Sequence, residues 1–195
     1  MEDAGDKKQG MIKQVKERLT AFSEEELNKK RQHVEDRLFD FANFNESKIV
    51  LLYVKDGIEL DTKSIIQKSF EKNKIIVLAL PGAEKHKFTL MRISNLEEDL
   101  IAGPDGNMEP DPTRCKVVPI DRIDIAIIPG IAFDEKGGRV GSDDGYYDRL
   151  VSRLPITTRK IAVAYEEQVV QQIPMDSRNK HVDIIITDTR VIYKI

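Results

Sequence analysis

Short apolar segments recur along the chain from residue 48 onward, and they constrain its fold more than any other feature. They are KIVLLYV (48–54), KIIVLAL (74–80), DIAIIPG (124–130), KIAVAY (160–165) and VDIIITD (182–188). Runs of this length without polar alternation are typical of strands that are buried on both faces of a parallel sheet. Segments of helical pattern, 62–72 and 145–154, lie between them. The sequence therefore predicts an α/β fold, a three-layer sandwich with a mostly parallel central sheet.

The first 45 residues follow a helical pattern, which predicts an N-terminal helical segment packed on this sandwich. Apolar residues recur at helical spacing from Met11 to Phe22. Ser23, followed by Glu26, forms the capping-box pattern that begins a second helix. Because neither an internal repeat nor a linker is evident, residues 1–195 are interpreted as one domain.

Composition and charge exclude several classes of protein. The formal net charge of -3 provides no electrostatic footprint for nucleic acid. The single cysteine, Cys115, excludes an internal disulfide framework and fits a reducing compartment. The polar, acidic N-terminus is unlike a signal peptide, and the longest apolar runs are too short to span a membrane. We therefore expect a cytoplasmic protein that binds neither nucleic acid nor membrane, with its oligomeric state left open.

The stretch PGIAFDEKGGRVGSDDGYYDRL (129–150) is the strongest candidate for a ligand site. It follows a predicted strand, and ligands of open α/β sheets bind beyond the carboxyl ends of strands. Gly141 and Gly145 let the backbone approach a ligand, and the helix that follows presents unpaired N–H groups to an anion such as phosphate. Neither of the common glycine patterns for nucleotide binding, G-x-x-x-x-G-K-[ST] and G-x-G-x-x-G, is present. Spacing alone leaves a phosphate site and a simple glycine-rich hairpin equally open.

The same stretch resembles the signature of the 5-formyltetrahydrofolate cyclo-ligase family, also called methenyltetrahydrofolate synthetase. The family pattern runs Pro-Gly-x-Ala-Phe-Asp, Gly-x-Arg-x-Gly, a glycine-rich triplet and Tyr-Tyr-Asp. Further matches follow the family's order and spacing at 59–62, 80–81, 106–110, Gln168, 173–174 and 183–187. The resemblance extends over nearly the whole chain.

The resemblance implies a reaction, the closure of 5-formyltetrahydrofolate to 5,10-methenyltetrahydrofolate with ATP and Mg²⁺ as cofactors. ATP would phosphorylate the formyl oxygen, after which a folate nitrogen attacks the activated carbon and phosphate departs. A reduced folate and a nucleotide are the implied partners. Such chemistry depends on positioning and charge neutralisation. It agrees with the absence of a Ser-His-Asp or Cys-His signature in the sequence.

The resemblance also implies which residues bind the nucleotide. These positions are Lys8, Gly141, Gly145, Tyr146, Tyr147 and Asp148. Of these, Tyr147 is also assigned a catalytic role. From the residues alone, Lys8 could instead be a solvent lysine at a polar helix end. The two tyrosines could likewise be a buried pair that packs the start of the helix.

The implied folate and metal positions come from other parts of the chain. Folate would contact Val54, Glu59, Glu109 and Tyr146, and magnesium would bind Asp148 and Asp183. Carboxylates suit this hard cation. Without the resemblance, Glu59 would be an ordinary turn residue, and Glu109 lies in a segment that could equally be just a turn. Asp148 reads equally as a first-turn carboxylate that favours the helix dipole.

Departures from the family pattern cluster where phosphate is expected. Met11-Ile12 stands in place of a Leu-Arg pair, and Gly82 in place of an arginine. A lost arginine–phosphate contact removes about 1.5–3 kcal/mol, so two losses weaken nucleotide binding roughly a hundredfold. Asp143 and Asp144 occupy the glycine-rich triplet. Two like charges about 4 Å apart repel by about 4 kcal/mol at an effective dielectric constant of about 20.

These departures leave more than one function open. The first is an ATP-dependent cyclo-ligase with a modified phosphate loop, in which the missing positive charge comes from elsewhere: Lys13, Lys16, Arg18 or Arg178. The second is a non-catalytic member that binds folate, nucleotide or a partner without turnover. A related enzyme for a different small anionic substrate is the third, since fold does not fix function. The retained carboxylates and tyrosines favour the first.

Overall fold

The computed structural model describes residues 4–55, 57–84, 87–104, 106–142, 145–176 and 179–194. The α-helices of this part of the chain are α1 (Ala4–Thr20), α2 (Glu24–Asp40), α3 (Ala42–Glu46), α4 (Lys63–Glu71) and α5 (Tyr146–Arg153). The first six strands are β1 (Ile49–Leu52), β2 (Ile75–Pro81), β3 (Phe88–Ile93), β4 (Leu100–Ala102), β5 (Met108–Pro110) and β6 (Lys116–Val117). The others are β7 (Ile125–Ile127), β8 (Ala132–Phe133), β9 (Arg139–Val140), β10 (Arg159–Val163), β11 (Ile184–Ile186) and β12 (Val191–Tyr193). No helix among the described residues is long and apolar enough to cross a membrane.

An eight-stranded sheet organises the described residues, in the order β12-β11-β10-β7-β1-β2-β3-β6. The five strands from β11 to β2 are parallel, and the strands outside them are antiparallel. Every residue of β7 is buried, as are Val50, Leu51 and Leu52 of β1. Burial on both faces explains why these strands appear as continuous apolar runs. The prediction of a mostly parallel central sheet is confirmed.

The chain reverses its direction of travel through the sheet between β1 and β7. Helix α4 connects β1 to β2 on one side of this point, and α5 lies between β7 and β10 on the other. Because such crossovers are right-handed, opposite directions put α4 and α5 on opposite faces of the sheet, which gives the three predicted layers. Open α/β sheets bind ligands at the carboxyl ends of the strands at this kind of switch point. The loops after β1 and β7 therefore mark the place to look for a site.

Helix α1 packs beside this switch point. Its Val15 is buried against Ile131, Val140 and Ile173, which belong to the β8–β9 region and to a later loop. Helix α2 begins at Ser23, where the predicted capping box is observed. The Ser23 hydroxyl oxygen accepts from a backbone amide at 3.2 Å, and the Ser23 amide donates to a glutamate carboxylate at 2.8 Å. The N-terminal helices thus carry α1 side chains to the carboxyl edge of the sheet.

The sequence interpretation missed two hairpins. Residues 103–112 have the polar, turn-rich composition that predicts a loop, but β5 lies within them and pairs with β4, with Ile101 opposite Glu109. Strands β8 and β9 form a second hairpin inside the glycine-rich stretch. Each of these strands has two or three residues. Segments this short do not display a period-two pattern, which is why they escaped prediction.

Lys74 is buried at the end of α3 and stabilises that helix. Its Nζ donates to the carbonyl oxygens of Phe44 at 2.7 Å, Asn45 at 3.0 Å and Ser47 at 2.6 Å. Carbonyls at a helix C-terminus lack partners within the helix, so the ammonium supplies a donor to them, and the Phe44 oxygen also accepts from the Ser47 hydroxyl at 2.6 Å.

We expect Lys74→Met to lower the free energy of unfolding by about 2–4 kcal/mol, because three carbonyl oxygens lose a charged donor. Urea denaturation measures the change. The matched control is Lys116→Met on the exposed edge strand β6, which should change stability by less than about 0.5 kcal/mol. Equal midpoints for the two variants would show that the buried ammonium contributes nothing.

Candidate functional site

A cavity of about 640 Å³ opens beside the switch point. Its walls come from α1, the end of β9, the first turns of α5 and three residues of a later segment, Asp176, Asn179 and Lys180. The basic side chains that line it are Lys8, Arg139, Arg149 and Lys180. Two carboxylates, Asp148 and Asp176, line it as well. Because cations outnumber carboxylates among the described lining residues, the cavity favours an anion.

Gly145 shapes the floor of this cavity. It precedes α5 with a φ of 76°, a left-handed conformation that favours glycine. Gly145 is the N-cap residue and has no side chain to cap the first turn of α5. A Cβ at this position would lie 3.4 Å from Nη1 of Arg149, an ordinary contact distance, so the positive φ rather than crowding favours glycine here. Gly145 at the start of α5 and Arg149 line the cavity together, and a helix N-terminus beside a guanidinium suits phosphate.

Arg139 and Asp148 form a nearly buried ion pair in the wall of the cavity. The Arg139 side chain is 2% exposed and its Nη2 lies 3.4 Å from Oδ1 of Asp148. Its Nη1 donates to the carbonyl oxygen of Pro129 at 2.9 Å. Asp148 Oδ1 also accepts from the backbone amide of Lys180 at 2.9 Å. The pair ties β9, the end of β7, α5 and residue 180 into one wall.

Lys8 reaches this wall from α1. Its Nζ donates to Oδ1 of Asn179 at 3.0 Å, and Asn179 in turn donates to Asp148 at 3.5 Å. Of the predicted nucleotide-binding residues, Lys8, Gly141, Gly145 and Asp148 thus line a common cavity. Arg139 is the arginine of the Gly-x-Arg-x-Gly pattern, and no role was predicted for it from the sequence. The signal that could have found it is an arginine inside an otherwise apolar, glycine-rich hairpin.

A second cluster joins the loop after β1 to the glycine-rich loop. Glu59 is buried, and its Oε1 accepts from the hydroxyl of Ser142 at 2.5 Å. Lys55 Nζ donates to that same hydroxyl at 2.7 Å and lies 3.5 Å from Oε1 of Glu59. It also lies 5.5 Å from the centroid of the Tyr147 ring. Ser142 directly follows Gly141 of the cavity, so this cluster bridges the switch point.

Aromatic rings flank this cluster. The rings of Tyr146 and Tyr147 meet edge to face at 5.3 Å, and Tyr146 meets Phe88 at 6.1 Å. Tyr147 is buried, while Tyr146 and the predicted folate contact Val54 are half-buried and pack against the main core. Both readings of the tyrosine pair therefore fit its position, since the rings pack the helix start beside the cavity.

Tyr53 holds the loop that carries Glu59. Its hydroxyl donates to the carbonyl oxygen of Leu60 at 2.8 Å, and its own carbonyl oxygen accepts from the hydroxyl of Thr62. Burial, and after it the charge of Glu59, raises the pKa of the Tyr53 hydroxyl well above its usual value. Tyr53 therefore stays a neutral donor, and the loop from residue 53 to residue 62 is anchored at both ends.

Glu109 lies outside this group, on the β4–β5 hairpin, which contacts β2 and β3. It is half-buried and covers Gly103, where an added Cβ would come within 2.3 Å of the Glu109 carboxyl carbon. Glycine at 103 is thus required by this close approach. The structure does not place Glu109 in the wall of the large cavity.

Asp183 also lies apart from Asp148. It precedes β11, at the amino edge of the sheet, and its Oδ2 accepts from the amide of Lys160 at 2.9 Å. It lines a separate cavity with Asn43 and Arg159. The two aspartates predicted to share a magnesium ion are therefore not brought together. Within the described ranges, no group of three or more His, Cys, Asp or Glu side chains is arranged to hold a metal ion.

The positions that depart from the family pattern have specific environments. Met11 and Ile12 are half-buried and pack on the cluster around Val15. Gly82 directly follows β2, and its amide donates to the carbonyl oxygen of Lys87 at 2.8 Å. Asp143, Asp144 and Arg178 lie outside the described residues.

The basic residues suggested as substitutes do not line the large cavity where they are described. Arg18 donates to the carbonyl oxygens of Glu167 and Val169 at 3.3 and 3.4 Å, and Lys16 lines a different cavity. The described positive charge of the large cavity comes instead from the four basic residues named above. Two of them, Arg149 and Lys180, were not anticipated from the sequence.

Sequence and fold both match folate-converting proteins. The 5-formyltetrahydrofolate cyclo-ligase family model matches residues 4–188. The chain is 27% identical over 188 residues to the 5-formyltetrahydrofolate cyclo-ligase of Mus musculus, covering 92% of each chain. It is 25% identical over 186 residues to the Escherichia coli K12 protein of the same name, covering 93% of this chain and 98% of the other. The NMR structure of Aquifex aeolicus 5,10-methenyltetrahydrofolate synthetase matches with a TM-score of 0.81 at 31% identity, covering 95% and 92% of the two chains.

Proposed function

The chain belongs to the 5-formyltetrahydrofolate cyclo-ligase family, and from this premise we propose that it converts 5-formyltetrahydrofolate to 5,10-methenyltetrahydrofolate with consumption of ATP. One observation carries the proposal beyond membership. The glycine-rich loop of the basic cavity and the loop of Glu59 meet through the Ser142 hydroxyl. A phosphate site and a folate contact at the same edge of the sheet are what phosphoryl transfer between two substrates requires.

The residues present fit the triphosphate of a nucleotide. The cavity of about 640 Å³ is of the size that holds small ligands. The basic side chains would bind phosphate oxygens, together with the amides that begin α5. Magnesium would lower the negative charge of the phosphates. Asp148 lines this cavity and Asp183 does not, so our proposal assigns the metal to Asp148 alone.

The proposed reaction proceeds without a protein nucleophile. The formyl oxygen attacks the terminal phosphorus of ATP, and the bond from that phosphorus to the bridging oxygen breaks as ADP leaves. The folate nitrogen that does not carry the formyl group then attacks the activated carbon and loses its proton to solvent. The carbon–oxygen bond breaks and phosphate departs. The chain's contribution is to hold both substrates in line and to neutralise charge on the phosphoryl oxygens.

Each remaining residue has a proposed part in this arrangement. Glu59, fixed by Ser142, would accept hydrogen bonds from the folate ring, and Val54 and Tyr146 would pack against that ring. Glu109, on the β4–β5 hairpin, would provide a further contact to the folate. Tyr147, beside Lys55, would have the catalytic role that the family pattern implies for it.

Incubation with 5-formyltetrahydrofolate, ATP and magnesium tests the function. The proposal expects 5,10-methenyltetrahydrofolate and ADP in equal amounts, and product without ATP would contradict it.

Replacing the two aspartates of the glycine-rich loop separates an active cyclo-ligase from a family member that only binds its ligands. We expect Asp143→Gly/Asp144→Gly to tighten ATP binding by about tenfold or more at low salt, because like charges near phosphate are removed. Calorimetry at low and high salt measures the effect, which should shrink as salt screens the charges. An unchanged affinity would contradict the expected repulsion. Binding that exists only in the double variant would favour the non-catalytic alternative.

A further inference from the structure

Lys55 occupies a position between the two halves of the proposed site. Its side chain is 19% exposed and lies just past the carboxyl end of β1. Its contacts join Ser142 of the glycine-rich loop, Glu59 of the folate side and the face of the Tyr147 ring. None of the roles assigned above uses this ammonium, although both substrates would approach it.

The neighbouring strand supports a functional reading of this lysine. Strands β1 and β2 are parallel, with Leu52 opposite Leu78. Lys55 lies three residues after Leu52, and Pro81 lies three residues after Leu78, so both follow this last pair toward the carboxyl edge of the sheet. Gly82 follows Pro81, at the position where the family pattern has an arginine. The family's arginine after β2 is thus replaced by glycine in this chain, and a lysine follows the neighbouring strand β1.

We propose that Lys55 is a catalytic residue of this chain, whose ammonium contacts the phosphoryl group as it passes from ATP to the formyl oxygen. This inference rests on the proposed function. In the transfer, the bond from terminal phosphorus to the formyl oxygen forms while the bond to the bridging oxygen of ADP breaks. Lys55 donates no proton in this step. Its fixed positive charge neutralises the phosphoryl oxygens, and Ser142 and Glu59 hold it in place before the substrates bind.

Nucleotide affinity tests this role without depending on turnover. A residue that touches only the terminal phosphate affects a non-hydrolysable ATP analogue but not ADP. We expect Lys55→Met to weaken binding of the imido analogue of ATP by about tenfold to a hundredfold in calorimetry. The affinity for ADP should change by less than about twofold. Lys55→Arg keeps the charge and should restore most of the lost affinity.

Kinetics and controls complete the test. With both substrates saturating, kcat of Lys55→Met should fall by about a hundredfold, and Lys116→Met on the outer edge of the sheet should leave it unchanged. Equal losses for ADP and the analogue, or none for either, would overturn the assignment in favour of a purely structural lysine. Failure of the unaltered chain to bind nucleotide or turn over would overturn the proposed function itself.

Discussion

Replacing Arg139 by methionine is expected to weaken ATP binding by more than a hundredfold. The guanidinium lines the cavity, holds the Pro129 carbonyl oxygen and pairs with Asp148. Its removal deletes a cation at the proposed phosphate site and leaves the Asp148 carboxylate there without that partner. A charge-assisted contact contributes about 1.5–3 kcal/mol, and the freed carboxylate adds repulsion. Calorimetry with ATP and magnesium measures the change.

Arg139→Met is also expected to lower stability, so a second variant separates binding from folding. Breaking a buried ion pair by removing one partner costs about 3–5 kcal/mol. Lys180→Met removes a cavity cation but keeps the backbone amide that donates to Asp148. It should weaken ATP binding by about tenfold with little change in the urea midpoint. Unchanged affinity in both variants would contradict the assignment of this cavity to phosphate.

Asp134→Ala is expected to lower the free energy of unfolding by about 3–5 kcal/mol. Asp134 is 2% exposed, and its carboxylate accepts from three backbone amides. Gly138 and Ile173 donate at 2.7 Å each, and Lys136 at 3.0 Å. Alanine leaves these donors in a place that water reaches poorly, so each carries a desolvation penalty. The affected turn leads directly into β9 and Arg139.

The Asp134 prediction is checked by urea denaturation beside a matched acidic variant. Asp121→Ala removes an exposed carboxylate from a short turn before β7 and should change stability by less than about 0.5 kcal/mol. Asp134→Asn keeps the size of the side chain but replaces one acceptor oxygen by an NH₂ group that faces a backbone N–H. This variant therefore measures the loss of an acceptor without a change in packing. An alanine variant as stable as the parent would contradict the role of Asp134 in fixing the hairpin.

The sequence predicted the sheet well because buried parallel strands leave a direct trace in composition. Each strand of the parallel part lies inside the apolar run that predicted it or extends beyond that run by one residue. The capping box at Ser23 was equally readable, since both of its members lie within four residues. The short hairpins were not, because β8 and β9 have two residues each and depend on tertiary contacts with α1.

The site was predictable only where its residues are local. Gly141, Gly145 and Asp148 follow one another in the chain, and family resemblance added Lys8, which the structure brings to the same cavity. The contacts of Lys55 with Ser142 depend on how two distant loops meet at the switch point. Sequence spacing contains no information on that approach. Asp183 shows the reverse case, because matching a pattern did not place it in the large cavity.

The fate of the formyl oxygen tests the central claim most directly. The chain would be supplied with 5-formyltetrahydrofolate carrying ¹⁸O in its formyl group, together with ATP and magnesium, and the released phosphate analysed by mass spectrometry. Phosphorylation of that oxygen predicts one ¹⁸O atom in each phosphate released, with one ADP for each 5,10-methenyltetrahydrofolate formed. Product accompanied by unlabelled phosphate would contradict phosphoryl transfer to the formyl oxygen. Nucleotide binding without any product would leave the chain as a binding member of the family.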